Sequence, residues 1–216
     1  MKEYKVELSG DGDFRSEECI GIMDMSDIVC TNPPFSMFRE FIRTVIAHGK
    51  GFLVLGHISA LSCIDIARTI MGGGLWLGIT TKGGDRMFEV PREYWTFQKK
   101  PTVVDGRYYH TVNGIRWYTN LDHEERHKPL DTGVTYDPDA YPKYDTFDAI
   151  EVWSYKRIPM DYDGIMGVPM SFMNYWCPEQ YEIIGTSQLP PKKKGYATVI
   201  NGRKVYERLL IRRKIQ

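Results

Sequence analysis

The sequence has no apolar run approaching the roughly 18 residues that a membrane-crossing helix requires. It opens Met1-Lys2-Glu3-Tyr4-Lys5-Val6-Glu7-Leu8, without the apolar core of a signal peptide. Both absences argue against export and make a cytoplasmic, non-membrane protein the expectation. Cysteine is scarce: Cys19, Cys30, Cys63 and Cys177 are the only four in 216 residues. Their spacing fits no zinc pattern, and without an export signal they are expected as reduced thiols. The five histidines are scattered, and His123 and His127, four apart, lack the acidic companion of a zinc helix, so no metal is expected. There is no net charge, with 28 basic and 28 acidic residues, and neither an internal repeat nor a clear linker.

The charge that is present is unevenly placed. From Pro191 onward Lys192, Lys193, Lys194, Arg203, Lys204, Arg208, Arg212, Arg213 and Lys214 face one acid, Glu207. A basic end on a neutral chain suits a polyanion such as DNA, and equally a solvated terminal hairpin.

Hydrophobic patterning predicts an α/β fold. Tyr4 to Leu8 reads as a short strand, and Ser16 caps a helix reaching Met23. Asp27 to Thr31 reads as a buried strand that must stop at Pro33-Pro34. Phe38, Phe41, Ile42, Val45 and Ile46 have helical spacing. Phe52 to Leu55, a helix from Ser59 to Met71, and Leu75 to Ile79 follow. This alternation predicts a mostly parallel sheet with crossover helices, whose ligands lie beyond the carboxyl ends of the strands. Residues 1–81 are thus expected as a catalytic core. Residues 82–190 form a loop-rich part with DNA-recognition elements, including a hairpin of Arg107–Val112 and Ile115–Thr119 across Asn113-Gly114. Residues 191–216 form a basic hairpin across Asn201-Gly202.

Asn32-Pro33-Pro34-Phe35 carries the chemistry. An aromatic amine such as that of adenine is a poor nucleophile, because its lone pair is delocalised into the ring. Accepting both of its hydrogens aims the lone pair at an incoming methyl group. The Asn32 side-chain oxygen can accept one, and the Pro33 carbonyl, freed by the Pro34 turn, can accept the other. Phe35 can stack on an extruded base. The gain is positioning and polar stabilisation, with no covalent intermediate. By itself the tetrapeptide suits amines in DNA, RNA or protein. Upstream, Gly12-Asp13-Phe14 offers a carboxylate and a ring for an adenine-bearing cofactor, although an Asp in a glycine turn also serves its own backbone.

Longer stretches narrow the choice. Gly12-Asp13-Phe14-Arg15-Ser16, Asp27 to Ser36, Phe52 to Gly56, Ile115 to Asp122, Tyr141 to Asp145, Asp148 to Val152 and Tyr162 to Pro169 resemble the EcoRI-type adenine-specific DNA methyltransferases along nearly the whole chain. The resemblance implies a class I methyltransferase-like sheet and S-adenosylmethionine-dependent methylation of adenine in duplex DNA. It implies a catalytic turn of Asn32, Pro33, Pro34 and Phe35, with Asp13 and Phe14 on the cofactor. DNA contacts are expected at Arg116, Lys143, Lys192, Lys193, Lys194 and Arg203. The glycine turn for the methionine end of the cofactor is missing before Gly10, so a further segment or partner is expected, or else a DNA-binding remnant without activity.

Overall fold

The computed structural model describes residues 4–79, 86–91, 101–187 and 197–214. Helix α1 (Glu17–Asp24) is capped by Ser16, whose side chain accepts from the Cys19 N–H. Strand β1 (Ile28–Thr31) leads through the proline turn into α2 (Phe38–Ala47) and β2 (Gly51–His57). Helix α2 buries Phe38, Phe41, Ile42 and Val45, which recur at three- and four-residue spacing and so form one stripe. The single turn Ile58–Ser62 precedes α3 (Ile64–Met71), which buries Ile66, Ala67 and Ile70, and β3 (Trp76–Leu77) follows.

Strands β4 (Arg86–Glu89), β5 (Thr102–Val104) and β6 (Arg107–Val112) form a small antiparallel sheet in the order β4-β6-β5. Strand β7 (Ile115–Thr119) does not pair with β6 as the sequence suggested. It enters the first sheet, whose order is β1-β2-β7-β3. β1 and β2 are parallel, while β7 is antiparallel to both β2 and β3. The expected strands therefore run in one direction, but the sheet is mixed and crossed by one reversed strand.

The turn explains the difference. A two-residue hairpin of the favoured type needs left-handed backbone at both central residues. Asp105-Gly106 has φ of 48° and 75° and joins β5 to β6; Asn201-Gly202 has 51° and 72° and joins β11 (Val199–Ile200) to β12 (Arg203–Lys204). At Asn113-Gly114 only the glycine is left-handed. Its carbonyl accepts from Ile58, handing the chain from one sheet to the other.

A second sheet has the order β10-β13-β9-β8, with β8 (Ala149–Glu151), β9 (Ile165–Val168), β10 (Tyr181–Thr186) and β13 (Leu209–Arg213). β13 was expected to extend the terminal hairpin; its buried Leu209, Leu210 and Ile211 place it inside this sheet instead. Helix α3 packs against β10 and joins the two sheets, and one cluster of buried side chains runs through both.

Two expected strands differ. Tyr4 to Leu8 forms no ladder, and β1 lies at a sheet edge with Ile28 exposed rather than buried. Among the described residues no helix is long and apolar enough to cross a membrane.

Candidate active site

β1 and β2 are parallel neighbours, so Asn32 and His57 leave the same end of the sheet. Past Thr31 the chain enters the proline turn. Pro33 is buried, whereas Asn32, Pro34 and Phe35 are exposed. The Pro34 carbonyl accepts from Met37, closing a short 3-10 turn at Phe35–Met37. The Pro33 carbonyl accepts no backbone hydrogen bond among the described residues. The Asn32 amide likewise has no side-chain partner there. Two acceptors and a half-exposed ring thus stand together beyond a strand end, the usual place for a ligand on such a sheet.

The turn has a rigid seat. Phe38, first residue of α2, is 3% exposed and packs edge-on to Tyr118, with ring centroids 4.8 Å apart. The Tyr118 hydroxyl donates to the His57 carbonyl at 2.9 Å. Burial pushes the Tyr118 hydroxyl pKa well above the usual tyrosine value, so it stays a neutral donor. Gly56 faces the Phe38 ring, where any Cβ would fall within 2.5 Å. Tyr118, weighed from sequence as a DNA-facing ring, is instead a buried part of this seat. The sequence reading treated Gly56 only as a strand end; the glycine inside an apolar run was the available signal for close packing.

The Gly12-Asp13-Phe14 turn reaches the same helix. Gly12 has φ of 80°, which favours glycine. Phe14 meets Phe41 of α2 edge-on at 5.2 Å. Arg15 bridges Asp13, at 2.5 Å, and Glu40 of α2, at 3.6 Å. The side-chain bond from Arg15 holds the Asp13 carboxyl at about 2, below the usual carboxylate range. Asp13 is thus ionised and adjacent to the turn, but an incoming amine must share it with a guanidinium.

The residues expected on DNA fall into different settings. Arg116 is withdrawn from the surface: it is 8% exposed, and its Nε donates to Asn174 at 3.0 Å. It braces β7 against the following layer rather than offering a phosphate contact, a correction to the sequence reading. Lys143 is exposed and paired with Asp148 at 3.1 Å, which raises its pKa. Arg203 is exposed on the β11–β12 hairpin, which Asp145 anchors through the N–H groups of Asn201 and Gly202. Lys192, Lys193 and Lys194 lie outside the described residues. His123 bonds the Leu77 carbonyl, and His127 bridges Asp122 and Glu179, each at 2.8 Å.

The sequence matches the family described as adenine-specific methyltransferase EcoRI over residues 2–214. The chain belongs to this family. It is 39% identical to Type II methyltransferase M.EcoRI of Escherichia coli over 208 residues, covering 95% of this chain and 63% of the relative. It is 35% identical to M.MgeORF184P of Mycoplasma genitalium, covering 99% of this chain and 73% of that one. M.MpnI of Mycoplasma pneumoniae is 40% identical over 85% of this chain and 59% of its own length. The chain therefore spans less than two thirds of the Escherichia coli relative. No solved structure matches.

Proposed function

We propose that this member of the EcoRI methyltransferase family methylates the exocyclic amine of adenine in duplex DNA, using S-adenosylmethionine. Its first sheet then serves as the target-base half of a class I methyltransferase-like core. The observation that supports this reading most is the pair of unengaged acceptors, the Asn32 side chain and the Pro33 carbonyl, presented at the β1 end beside the exposed Phe35.

Phe35 stacks on the extruded adenine, a contact worth about 1–3 kcal/mol per base. Asn32 Oδ1 and the Pro33 oxygen each accept one amine hydrogen, which localises the nitrogen lone pair. Phe38, Gly56 and Tyr118 hold the acceptors still, so no reorganisation is needed as charge develops on nitrogen. Arg203 and the tail lysines supply phosphate contacts that position the duplex.

The residues present fit one end of the cofactor. Asp13 offers a carboxylate to its adenine amine, and Phe14, Gly12 and Thr31 border an open cleft beside β1. When bound, the cofactor supplies the electrophilic methyl group. The glycine turn expected for its methionine end comes from further polypeptide in this reading.

The test is transfer of labelled methyl groups to duplex DNA, with RNA and protein acceptors in parallel. Label on adenine N6 in DNA alone supports the assignment. Label on RNA or protein, or tight DNA binding without transfer even when the further polypeptide is supplied, contradicts it.

A further inference from the structure

Two strand-forming stretches have unmet edges. β1 pairs with β2 on one side and with no strand on the other among the described residues. Parallel strands are ordinarily buried, and an open edge is a template for pairing. Here Ile28 is 53% exposed, and Met25, just before the strand, is 82% exposed. The second stretch is Tyr4-Lys5-Val6-Glu7-Leu8. It alternates apolar and charged residues as a half-buried strand does, yet Tyr4 and Val6 are 79% and 72% exposed. Its far end is fixed, because the N–H groups of Ser9 and Gly10 both donate to the Glu18 carboxylate of α1. A cleft of about 400 Å³ adjoins both stretches, lined by Leu8, Phe14, Ile22, Met23, Ile28 and Val29 among others. Leu8 and Ile28 border this space rather than meeting in a ladder.

We propose that this edge is a docking surface for an extended polypeptide segment, which pairs with β1 and orders Tyr4 to Leu8 as a strand beyond it. The occupant has apolar residues at alternate positions. It corresponds to part of the more than one third of the Escherichia coli relative that this chain does not span. The inference rests on the proposed function only for the occupant's role, which is to complete the cofactor site; the surface itself rests on the open edge and the cleft.

The test uses the full chain with Cys19→Ser and Cys63→Ser, leaving exposed Cys30 on β1 and buried Cys177. The probe is a separate polypeptide comprising the stretch of M.EcoRI that this chain does not match. The expected result is amide exchange slowed roughly tenfold or more at residues 28–31 and 4–8 together, with slower alkylation of Cys30. Ile28→Lys abolishes this protection, while Met71→Lys, exposed elsewhere, leaves it intact. Unchanged exchange overturns the proposal, as does protection of the chain alone that grows with its own concentration, which would make a second copy the occupant. Protection without methyl transfer sinks only the proposed activity. Transfer without protection of β1 sinks only the docking surface.

Discussion

Gly56 and Phe38 are in contact across the gap between β2 and the start of α2, so closely that a Cβ on the glycine would lie 2.5 Å from the ring. The ring is walled on its other side by Tyr118, itself fully buried, and so has little room to yield. Gly56→Ala is therefore expected to destabilise the chain by about 1–3 kcal/mol, the usual range for overpacking. Because Phe38 opens the helix behind the proline turn, the same change should lower the rate of transfer more than it weakens DNA binding. Denaturant melts and single-turnover rates on one preparation check both.

Asp13 and Arg15 give a prediction in acid. The carboxyl titrates near 2 instead of 3.8, chiefly through the Arg15 side-chain bond. A depressed pKa stabilises the folded state above the unfolded value, and the gain is lost as pH falls from about 3.8 towards 2. In Arg15→Gln the Asp13 carboxyl should titrate close to its ordinary value. A carboxyl-carbon NMR titration reads this directly.

His127 gives the opposite sign. Its bonds to Asp122 first, and Glu179 second, raise its pKa above 6.5. The added stability is complete below the unfolded pKa and is lost as pH rises through the folded one. The contact joins the segment after β7 to the turn before β10, so the melting temperature should fall as pH rises past the histidine range. His127→Gln should flatten that slope.

The second sheet depends on a buried ion pair. Glu151, fully buried, accepts from Arg208 at 2.6 Å and also from the Tyr144 hydroxyl. Arg208→Met removes the cation and leaves the carboxylate buried, which typically costs about 3–5 kcal/mol. Restoring much of that loss with Glu151→Leu added would show that the stranded charge, rather than lost packing, causes it.

The legible parts of the sequence were those set by local chemistry. Ser16 caps α1, the α2 stripe has helical spacing, and Pro33-Pro34 can only turn. The partners of Ile115 to Thr119 were not legible. Asn113-Gly114 announces a turn but does not say which strands flank it, and the pairing with β2 is settled by burial on both faces. Arg116 reads as a surface cation until Asn174, distant in sequence, is found beside it. Nor could the exposure of β1 be read, because Ile28-Val29-Cys30-Thr31 has the composition of a buried strand whether or not its outer edge is paired.

The central claim is that the Asn32 amide acts on the target amine. The most direct measurement is single-turnover methyl transfer to duplex DNA by the native chain and by Asn32→Ala, each with the complementing polypeptide present. Asn32 is exposed and makes no side-chain bond in the fold, so the variant should melt like the native chain and bind DNA comparably. The account predicts that its transfer rate falls by at least about 10²-fold, the scale for losing one acceptor or donor aimed at the transition state. Equal rates in the two proteins would contradict it.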